Sequence, residues 1–475
     1  MHKSVSTTSA SVFVLALALS GCAMLQDSAT HPQANPSATW RMAAPAGDVE
    51  ALLAKDFWTT FDEPVLDRLM EEALRANPDV RVAAANVEVY RARLTATNAD
   101  RFPQLFGNTQ GARGKGGSFP QTPVNAFALG VSLSWEIDLW GRLARASDAA
   151  RADLLAQAEV QRGVYIGLAS SIAQGYFTLR GLDAQLAIAK TTLALRETSL
   201  KLFTLRFQGG VISEVELAQV RSEYELAAVA VPQIESDIAR TENALSVLLG
   251  RNPGPIERGR ALDVIPDPQV PAGVPSQLIA RRPDILAAEA QLAAADARVD
   301  VARRAYFPRI SLTGLLGVAS DELADLFDGD TQEWYVAGGL TQPIFDAGRI
   351  GAGVAAAEAE RAALIAQYQK TVQTAFREVD DALVTRVKLR EQLAAAQRQV
   401  DALRRYAELA RLRYEGGYTS YLEVVDAERT LFAAELNRIA LQNEALRATV
   451  TLFSALGGSW MDERIAAGTI QKQPE

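Results

Sequence analysis

Histidine and cysteine are almost absent from this chain of 475 residues, which contains two histidines and one cysteine. The histidines, His2 and His31, both lie near the N-terminus, and the cysteine is Cys22. Zinc sites, cysteine nucleophiles and Ser-His-Asp triads need these side chains, so we expect neither an enzyme nor a metal or cofactor site. The formal net charge of −9 also argues against a nucleic-acid partner.

Proline is absent from two stretches of equal length, 142–208 and 349–415, which are rich in Ala, Leu, Arg and Glu. High helix propensity predicts one continuous helix in each stretch. Such a helix would extend roughly 100 Å at about 1.5 Å per residue. Charged residues recur too often along it for a membrane span. Because one globular domain cannot bury a helix of this length, we expect it to coil against other helices.

Shared offsets show that these stretches belong to an internal duplication. The glycines that bound them are related by a shift of 207 (141 to 348): Gly141 and Gly209-Gly210 become Gly348 and Gly416-Gly417. Upstream the shift is 205 (78 to 283), which relates Pro78-Asp79 to Pro283-Asp284. The chain is therefore two copies of one long unit, 56–257 and 258–457, with a C-terminal tail, 458–475, expected at the waist of the helical part.

The first 21 residues have the pattern of an export signal peptide. Lys3 precedes a short apolar core, and the segment ends in Leu19-Ser20-Gly21-Cys22. This ending matches the bacterial lipobox, so we predict that Cys22 is lipidated and begins the mature chain. An ordinary signal peptide with an incidental cysteine is the alternative. Residues 22–55, rich in Ala, Pro, Ser and Thr, would then tether the lipid to the folded part.

After Pro103 the apolar residues change to a period of two. The clearest case is 127–139, in which apolar residues alternate with small or polar ones. Its mate is 105–112, and the second copy has candidate strands at about 310–318 and 332–345. Their length, and the tryptophans near their ends, suit tilted strands that cross a bilayer. A pair of soluble hairpins with one buried face is the alternative.

Four strands cannot close a barrel, and lipid does not tolerate an open sheet edge. We therefore expect several copies to share one barrel, each giving four strands. The helices predicted at 78–101 and 213–248 together reach about the length of a long helix, so the two can flank it end to end. The predicted fold is a membrane β-barrel joined to a long α-helical coiled-coil barrel.

Several motifs make the chain, from Cys22 to about Trp460, resemble the TolC-like outer-membrane factors, and within them the NodT-like lipoprotein branch. Besides the lipobox and the Gly-Gly turns, they are Trp58-x-x-Phe61-x-x-Pro64, Asn77-Pro78-Asp79, Arg282-Pro283-Asp284 and Phe307-Pro308. The resemblance implies a homotrimer with a twelve-stranded barrel, held by lipid in the outer membrane, and a long helical tunnel in the periplasm. It further implies a passive exit duct that docks a periplasmic adaptor and an inner-membrane efflux pump.

The two Gly-Gly turns are the expected tips of the helical hairpins. The predicted adaptor contacts lie there: Gly209, Gly210, Val211, Gly416, Gly417 and Tyr418. The next helices open as Ser213-x-x-Glu216 and Ser420-x-x-Glu423, both of which predict capping boxes.

The resemblance also implies a gate at the periplasmic end. It would consist of acidic rings from Asp426 and Glu423, with Tyr414 holding the tip closed. Some relatives carry an arginine soon after the turn, where this chain has Thr419, and Arg413 is the expected substitute. The alternatives are a capping role for Glu423 and a solvated acid at Asp426.

A hypothesis from another class of protein remains open at this point: the chain could be a non-conducting lipoprotein that spans the envelope only as a scaffold. The small and polar face of strand 127–139 argues against it, because a protein without a lumen has no use for that face.

Overall fold

The computed structural model describes residues 39–42, 56–115, 119–271, 273 and 278–458. The first copy of the repeat contains α1 (Pro64–Ala76), α2 (Pro78–Ala99), β1 (Gln104–Gly114), β2 (Val124–Ile137), α3 (Arg142–Gln208) and α4 (Glu214–Leu248). The second contains α5 (Pro283–Arg304), β3 (Arg309–Ser320), β4 (Gln332–Thr341), α6 (Arg349–Glu415) and α7 (Tyr421–Ala455). Short 3₁₀ turns occupy Phe57–Phe61 and Leu262–Val264.

The two long helices have the predicted bounds at both ends, and each contains 67 residues. The duplication also holds for the other helices. Bounds of α2 and α5 differ by 205, and those of α4 and α7 by 207, as the printed ranges show. Among the described residues, no helix has a stretch both long and apolar enough to cross a membrane.

Strand ends differ from prediction by a few residues, for local reasons. Strand β2 was expected to reach 139 but ends at Ile137, because the Asp138 carboxylate accepts hydrogen bonds from the backbone N–H groups of Leu143 (3.1 Å) and Ala144 (2.7 Å) at the start of α3. Strand β4 was expected to reach 345 but ends at Thr341. Pro343 lies just beyond and cannot donate to a strand ladder. Helix α2 ends at Ala99 instead of 101.

The four strands form one antiparallel sheet in the order β1-β2-β3-β4. The β1–β2 register runs from Gln104 opposite Ser134 to Gly114 opposite Val124. The β2–β3 register aligns Ile137 with Ile310, and the β3–β4 register aligns Arg309 with Thr341. Strands β1 and β4 are therefore the two edges, each with one side of its backbone unpaired within this chain.

Two compact units divide the chain. One contains 86–158 and 287–370, which include the whole sheet, and the other contains 35–85, 159–286 and 371–475. In the second unit an aromatic core packs the first turn against the helices, since Phe61 lies 4.8 Å from Phe177 and Phe57 stacks on Phe453 at 5.3 Å, centroid to centroid. Burial raises the pKa of Tyr176 in this core to about 12.

The connector after α4 is held on the same core. The Tyr176 hydroxyl accepts a hydrogen bond from the Gly259 N–H at 3.0 Å, and the buried Glu63 carboxylate accepts one from the Arg260 N–H at 2.9 Å. Ile256 and Val270 of this connector are buried. The described part of this connector thus packs on the helices of the second unit.

Most N-terminal predictions, including the signal peptide 1–21 and Cys22, lie outside the described residues, as does the tail after Gly458. Within the predicted tether, residues 39–42 are described and make contacts inside the second unit. The Trp40 indole N–H donates to the Gly273 carbonyl at 3.0 Å, and the Arg41 N–H donates to the Asp380 carboxylate at 2.9 Å.

Candidate functional site

The hairpin tips are built by the same turn twice. Helix α3 ends at Gln208, and Gly210 has a φ of +72°, which a residue with a side chain rarely adopts. Backbone hydrogen bonds from Val211 N–H to Arg206 C=O (2.9 Å) and from Gly210 N–H to Phe207 C=O (2.9 Å) complete a Schellman motif. Gly417, with a φ of +78°, repeats the turn after α6. Val211 and Tyr418, both predicted adaptor contacts, are 74% and 81% exposed.

The first of the two predicted capping boxes is confirmed. The Ser213 hydroxyl accepts from the Glu216 N–H at 3.3 Å, and the Glu216 carboxylate accepts from the Ser213 N–H at 2.9 Å. These two bonds satisfy N–H groups that the start of α4 would otherwise leave free.

The second predicted capping box is wrong. The Ser420 side chain makes no capping hydrogen bond at the start of α7. The Glu423 carboxylate instead accepts from the Arg413 guanidinium at 2.7 Å and from the Thr419 hydroxyl. The physical reason is competition. Thr419 supplies a hydroxyl where the first copy has Ile212, and Arg413 donates to this carboxylate, whereas its equivalent Arg206 donates to the Tyr414 hydroxyl.

An aromatic cluster joins the hairpin of α3 and α4 to the hairpin of α6 and α7. Phe203 lies 4.1 Å from Tyr421 and stacks on Tyr414 at 6.4 Å, and Tyr414 meets Tyr421 edge-on at 5.1 Å, centroid to centroid. The Arg206 guanidinium donates to the Tyr414 hydroxyl at 2.8 Å. In the first copy Phe207 stands where the second has Tyr414, so the duplication supplies this hydroxyl only once.

Arg206 is a residue that the sequence interpretation missed. In the internal duplication it is the equivalent of Arg413. Because Glu216 is engaged in its capping box, Arg206 forms no counterpart of the Arg413–Glu423 pair within the described part of the chain. Its guanidinium lies 5.6 Å from the Phe203 ring centroid and reaches across to the other hairpin. The mismatch between Ile212 and Thr419 is the signal that could have pointed to it.

Ion pairs near the tip lie mainly within each hairpin. Buried Arg196 of α3 pairs with Glu223 of α4 at 3.0 Å. Burial lowers the pKa of Arg196, and the Glu223 carboxylate opposes that effect. In the other hairpin, Arg404 pairs with Glu435 at 2.8 Å, and Arg411 pairs with Glu428. Each hairpin is thus linked internally by charge.

Asp426, the predicted gate acid, is about half exposed. Its carboxylate accepts from Arg429, one turn further along α7, at 2.9 Å. Within this chain it therefore makes a local ion pair, like Glu444 with Arg447 at 2.8 Å. An open groove of about 670 Å³ lies behind the tip between α3, α6 and α7, with Leu195 and Phe432 in its lining.

The sheet has two chemically different faces. Apolar side chains on one face, between 44% and 74% exposed, are Leu105, Leu129, Val131, Leu316, Trp334, Val336 and Leu340. The register places mainly small and polar residues on the other face, among them Asn108, Ser132, Ser134 and Thr313. One row of larger side chains, Phe106, Leu315 and Tyr335, crosses that face. An uncovered apolar face beside a polar one is typical of a barrel wall between lipid and a lumen.

These features define a class of protein: an outer-membrane channel whose barrel needs more strands than one chain supplies. The profile described as "Outer membrane efflux protein" matches residues 69–251 and 274–458. The chain belongs to this family of outer-membrane efflux proteins, whose members are transporters.

Curated relatives agree along almost the whole chain. The chain is 36% identical over 461 residues to the solvent efflux pump outer membrane protein SrpC of Pseudomonas putida. This alignment covers 94% of this chain and 97% of the relative. Cation efflux system protein CusC of Escherichia coli O6:H1 is 36% identical over 456 residues, covering 94% and 98%. "Probable outer membrane lipoprotein SilC" of Salmonella typhimurium is 37% identical, covering 85% and 87%.

Solved structures show the same fold. A CusC crystal structure superposes with a TM-score of 0.83 at 34% identity, covering 92% of this chain and all of that one. The open state of the MtrE channel of Neisseria gonorrhoeae gives a TM-score of 0.83 at 29% identity, covering 91% and 97%. The chain is thus an outer-membrane exit channel of a tripartite efflux system, and three copies supply a twelve-stranded barrel and a periplasmic helical barrel.

The two serines provide a matched test of the tip structure. We expect Ser213→Ala to weaken the start of α4 by about 1 kcal/mol, because a capping hydroxyl is lost. Amide hydrogen exchange at 214–217 should then rise by about fivefold in the intact trimer. Ser420→Ala should leave exchange at 421–424 nearly unchanged, since its hydroxyl caps nothing. Equal effects of the two substitutions would contradict the assignment.

Proposed function

We propose that the aromatic cluster and the Arg206–Tyr414 hydrogen bond hold the exit channel closed at its periplasmic end. Charged contacts lie within hairpins, as in Arg196–Glu223 and Arg413–Glu423. Contacts between hairpins at the tip are mainly apolar, from the aromatic rings and from aliphatic side chains such as Val220 and Val424. Hydrogen bonds join Arg206 to Tyr414 and Ser199 to Tyr421 across the two hairpins. Parting the hairpins therefore separates few ion pairs, so each can move as one body. The single observation that carries the proposal is the bond from Arg206 to Tyr414.

Tyr414→Phe tests this closure with the smallest change. It removes the hydroxyl, keeps the ring, and restores the residue type that the first copy has at Phe207. Losing a hydrogen bond to a charged group costs about 1.5–3 kcal/mol, so the open population should rise by about tenfold or more. Single-channel recording in planar bilayers would measure it. Tyr418→Phe, at an exposed position, is the control, and equal behaviour of both variants would remove Tyr414 from the gate.

We further propose that Asp426, with Glu423 and Arg413 beside it, forms an acidic constriction in the trimer. Three copies of one half-exposed carboxylate around a narrow pore would favour cations. Asp426→Ala should lower the cation-to-anion permeability ratio and raise conductance. Glu444→Ala is the matched control, because Glu444 makes the same kind of local pair on the same helix. Unchanged selectivity of Asp426→Ala in reversal-potential measurements would count against the ring.

The specific partners proposed are a periplasmic adaptor at the tips and an inner-membrane pump behind it. The support is exposure at the turns, where Val211 and Tyr418 present apolar surface. A photocrosslinker at either position should capture the adaptor in cells. The same probe at Val229, which is 64% exposed on α4 but away from the turn, is the control. Equal capture at all three positions, or none at the turns, would exclude this contact.

The cargo is proposed to be chosen by the pump and not by this channel. Relatives of equal identity are named for solvents and for cations. In the described part of the chain, no group of three or more His, Cys, Asp or Glu side chains could hold a metal ion. A duct with few specific contacts suits both kinds of cargo.

Cys22 is proposed as the lipidated first residue of the mature protein. Support comes from the lipobox and from the relative named as a lipoprotein. Cys22→Ala should abolish incorporation of labelled palmitate, while a control substitution such as Ser20→Ala should retain it. Equal labelling of both chains would place the lipid elsewhere or exclude it. Two or more acyl chains give a stable anchor, which a single chain does not.

A further inference from the structure

The edges of the sheet carry an inference about how neighbouring copies meet. Within one chain β1 and β4 are edges, and in the three-copy barrel β4 of one copy lies beside β1 of the next. The register of that junction decides which residues pair, and a slip by one residue would turn every side chain to the wrong face.

The internal duplication holds for the residue pairing within the two β-hairpins. Gln104 pairs with Ser134, and adding 205 to the first and 207 to the second gives Arg309 and Thr341, which also pair. The difference of two lies in the connectors, since 321–331 is two residues longer than 115–123. The hairpins β1–β2 and β3–β4 are therefore one structure used twice.

A ring of six such hairpins contains two kinds of junction. The junction β2–β3 is inside the chain, and the junction β4–β1 lies between copies. We propose that the second has the register of the first. Leu133 lies opposite Gly314 at the first junction. Adding 207 to the first number and subtracting 205 from the second (133 to 340, 314 to 109) then places Leu340 opposite Thr109 of the partner subunit. Gly130 opposite Gly317 likewise becomes Ala337 opposite Ala112 of the partner subunit.

The faces of the strands agree with this register, although they were not used to derive it. Leu340 shares a face with Leu316 and Trp334, and Thr109 is opposite Leu129, so both lie on the apolar face of the sheet. Ala337 and Ala112 both lie on the small and polar face, as partners of Thr313 and Ala126. The derived pairs thus keep lipid and lumen faces continuous across the junction.

Charge at the connector end of the two edges is complementary. Strand β1 contains Arg113 one residue before its end at Gly114, and Lys115 follows the strand. Strand β4 contains Glu333 near its start, and the connector before it carries Asp321, Glu322, Asp325, Asp328 and Asp330. The register places Trp334 opposite Lys115 of the partner subunit, which brings the basic end of one edge beside the acidic end of the other. Opposite charges at a junction favour correct pairing over self-pairing of like edges.

Disulfide trapping in the full-length trimer, made in the bacterial outer membrane, tests the register. A Cβ built on Gly314 would lie 3.6 Å from the Leu133 Cβ, within the range that a disulfide spans. Leu133→Cys with Gly314→Cys should therefore form an intrachain disulfide and is the positive control. The equivalent pair at the junction between copies is Leu340→Cys with Thr109→Cys. It should link the chains into covalent trimers, which a non-reducing gel would show.

Registers slipped by two residues keep the faces and are the real competitors. They are tested by Leu340→Cys with Gly107→Cys and by Leu340→Cys with Gly111→Cys. We expect the Thr109 pair to give about tenfold more covalent trimer than either, because cross-strand Cα distances grow beyond disulfide range on the diagonal. A slipped pair that links best would overturn the proposal, as would no link at Thr109 while the positive control forms.

The unsubstituted protein supplies a second readout if a cysteine pair prevents assembly. Electron cryo-microscopy of the trimer in a lipid nanodisc would show the junction directly. Leu340 opposite Thr109 of the partner subunit supports the proposal, and any other residue in that place contradicts it. A chain that never forms trimers would instead contradict the exit-channel function itself, so the two failures are distinguishable.

Discussion

The constraint on which this structure depends is the need of backbone N–H and C=O groups for hydrogen-bond partners in lipid. Inside one chain the sheet satisfies three junctions and leaves one side of β1 and one side of β4 open. Each unpaired group in hydrocarbon costs several kcal/mol, so the four strands cannot stand alone in a bilayer. Closure by further copies removes both edges at once. Oligomerisation is therefore part of the fold, because the membrane part is complete only as a closed ring.

Internal duplication lets one chain supply two equivalent parts of this ring. The positions at which the two copies differ indicate where their roles differ. Helix bounds and strand registers repeat with constant offsets, so the strands and the helices follow nearly the same design twice. At the tips the copies diverge in a few side chains. Ile212 leaves Glu216 to its capping box, whereas Thr419 and Arg413 draw Glu423 away from its cap. Phe207 lacks the hydroxyl that Tyr414 offers to Arg206. The asymmetry lies at the tips, where we propose the gate.

Much of the fold could be predicted because it is written in long, regular patterns. Proline-free stretches bounded by glycine gave the ends of α3 and α6 to the residue. Strand ends were less predictable. Strand β2 stops before Asp138, because that carboxylate caps the start of α3, and Pro343 cannot continue the hydrogen-bond ladder beyond β4. The second capping box failed because a motif cannot show that Arg413 and Thr419 compete for the same carboxylate. The role of Arg206 could not be predicted, because its partner Tyr414 is 208 positions away and comes close only when the hairpins pack.

The central claim, that several copies complete one pore, can be tested by the mass of the particle that the purified protein forms. Native mass spectrometry of the full-length chain, released from mild detergent, counts the copies directly. The account requires a complex of three chains that persists on dilution. A stable, folded monomer carrying an intact four-stranded sheet would contradict it.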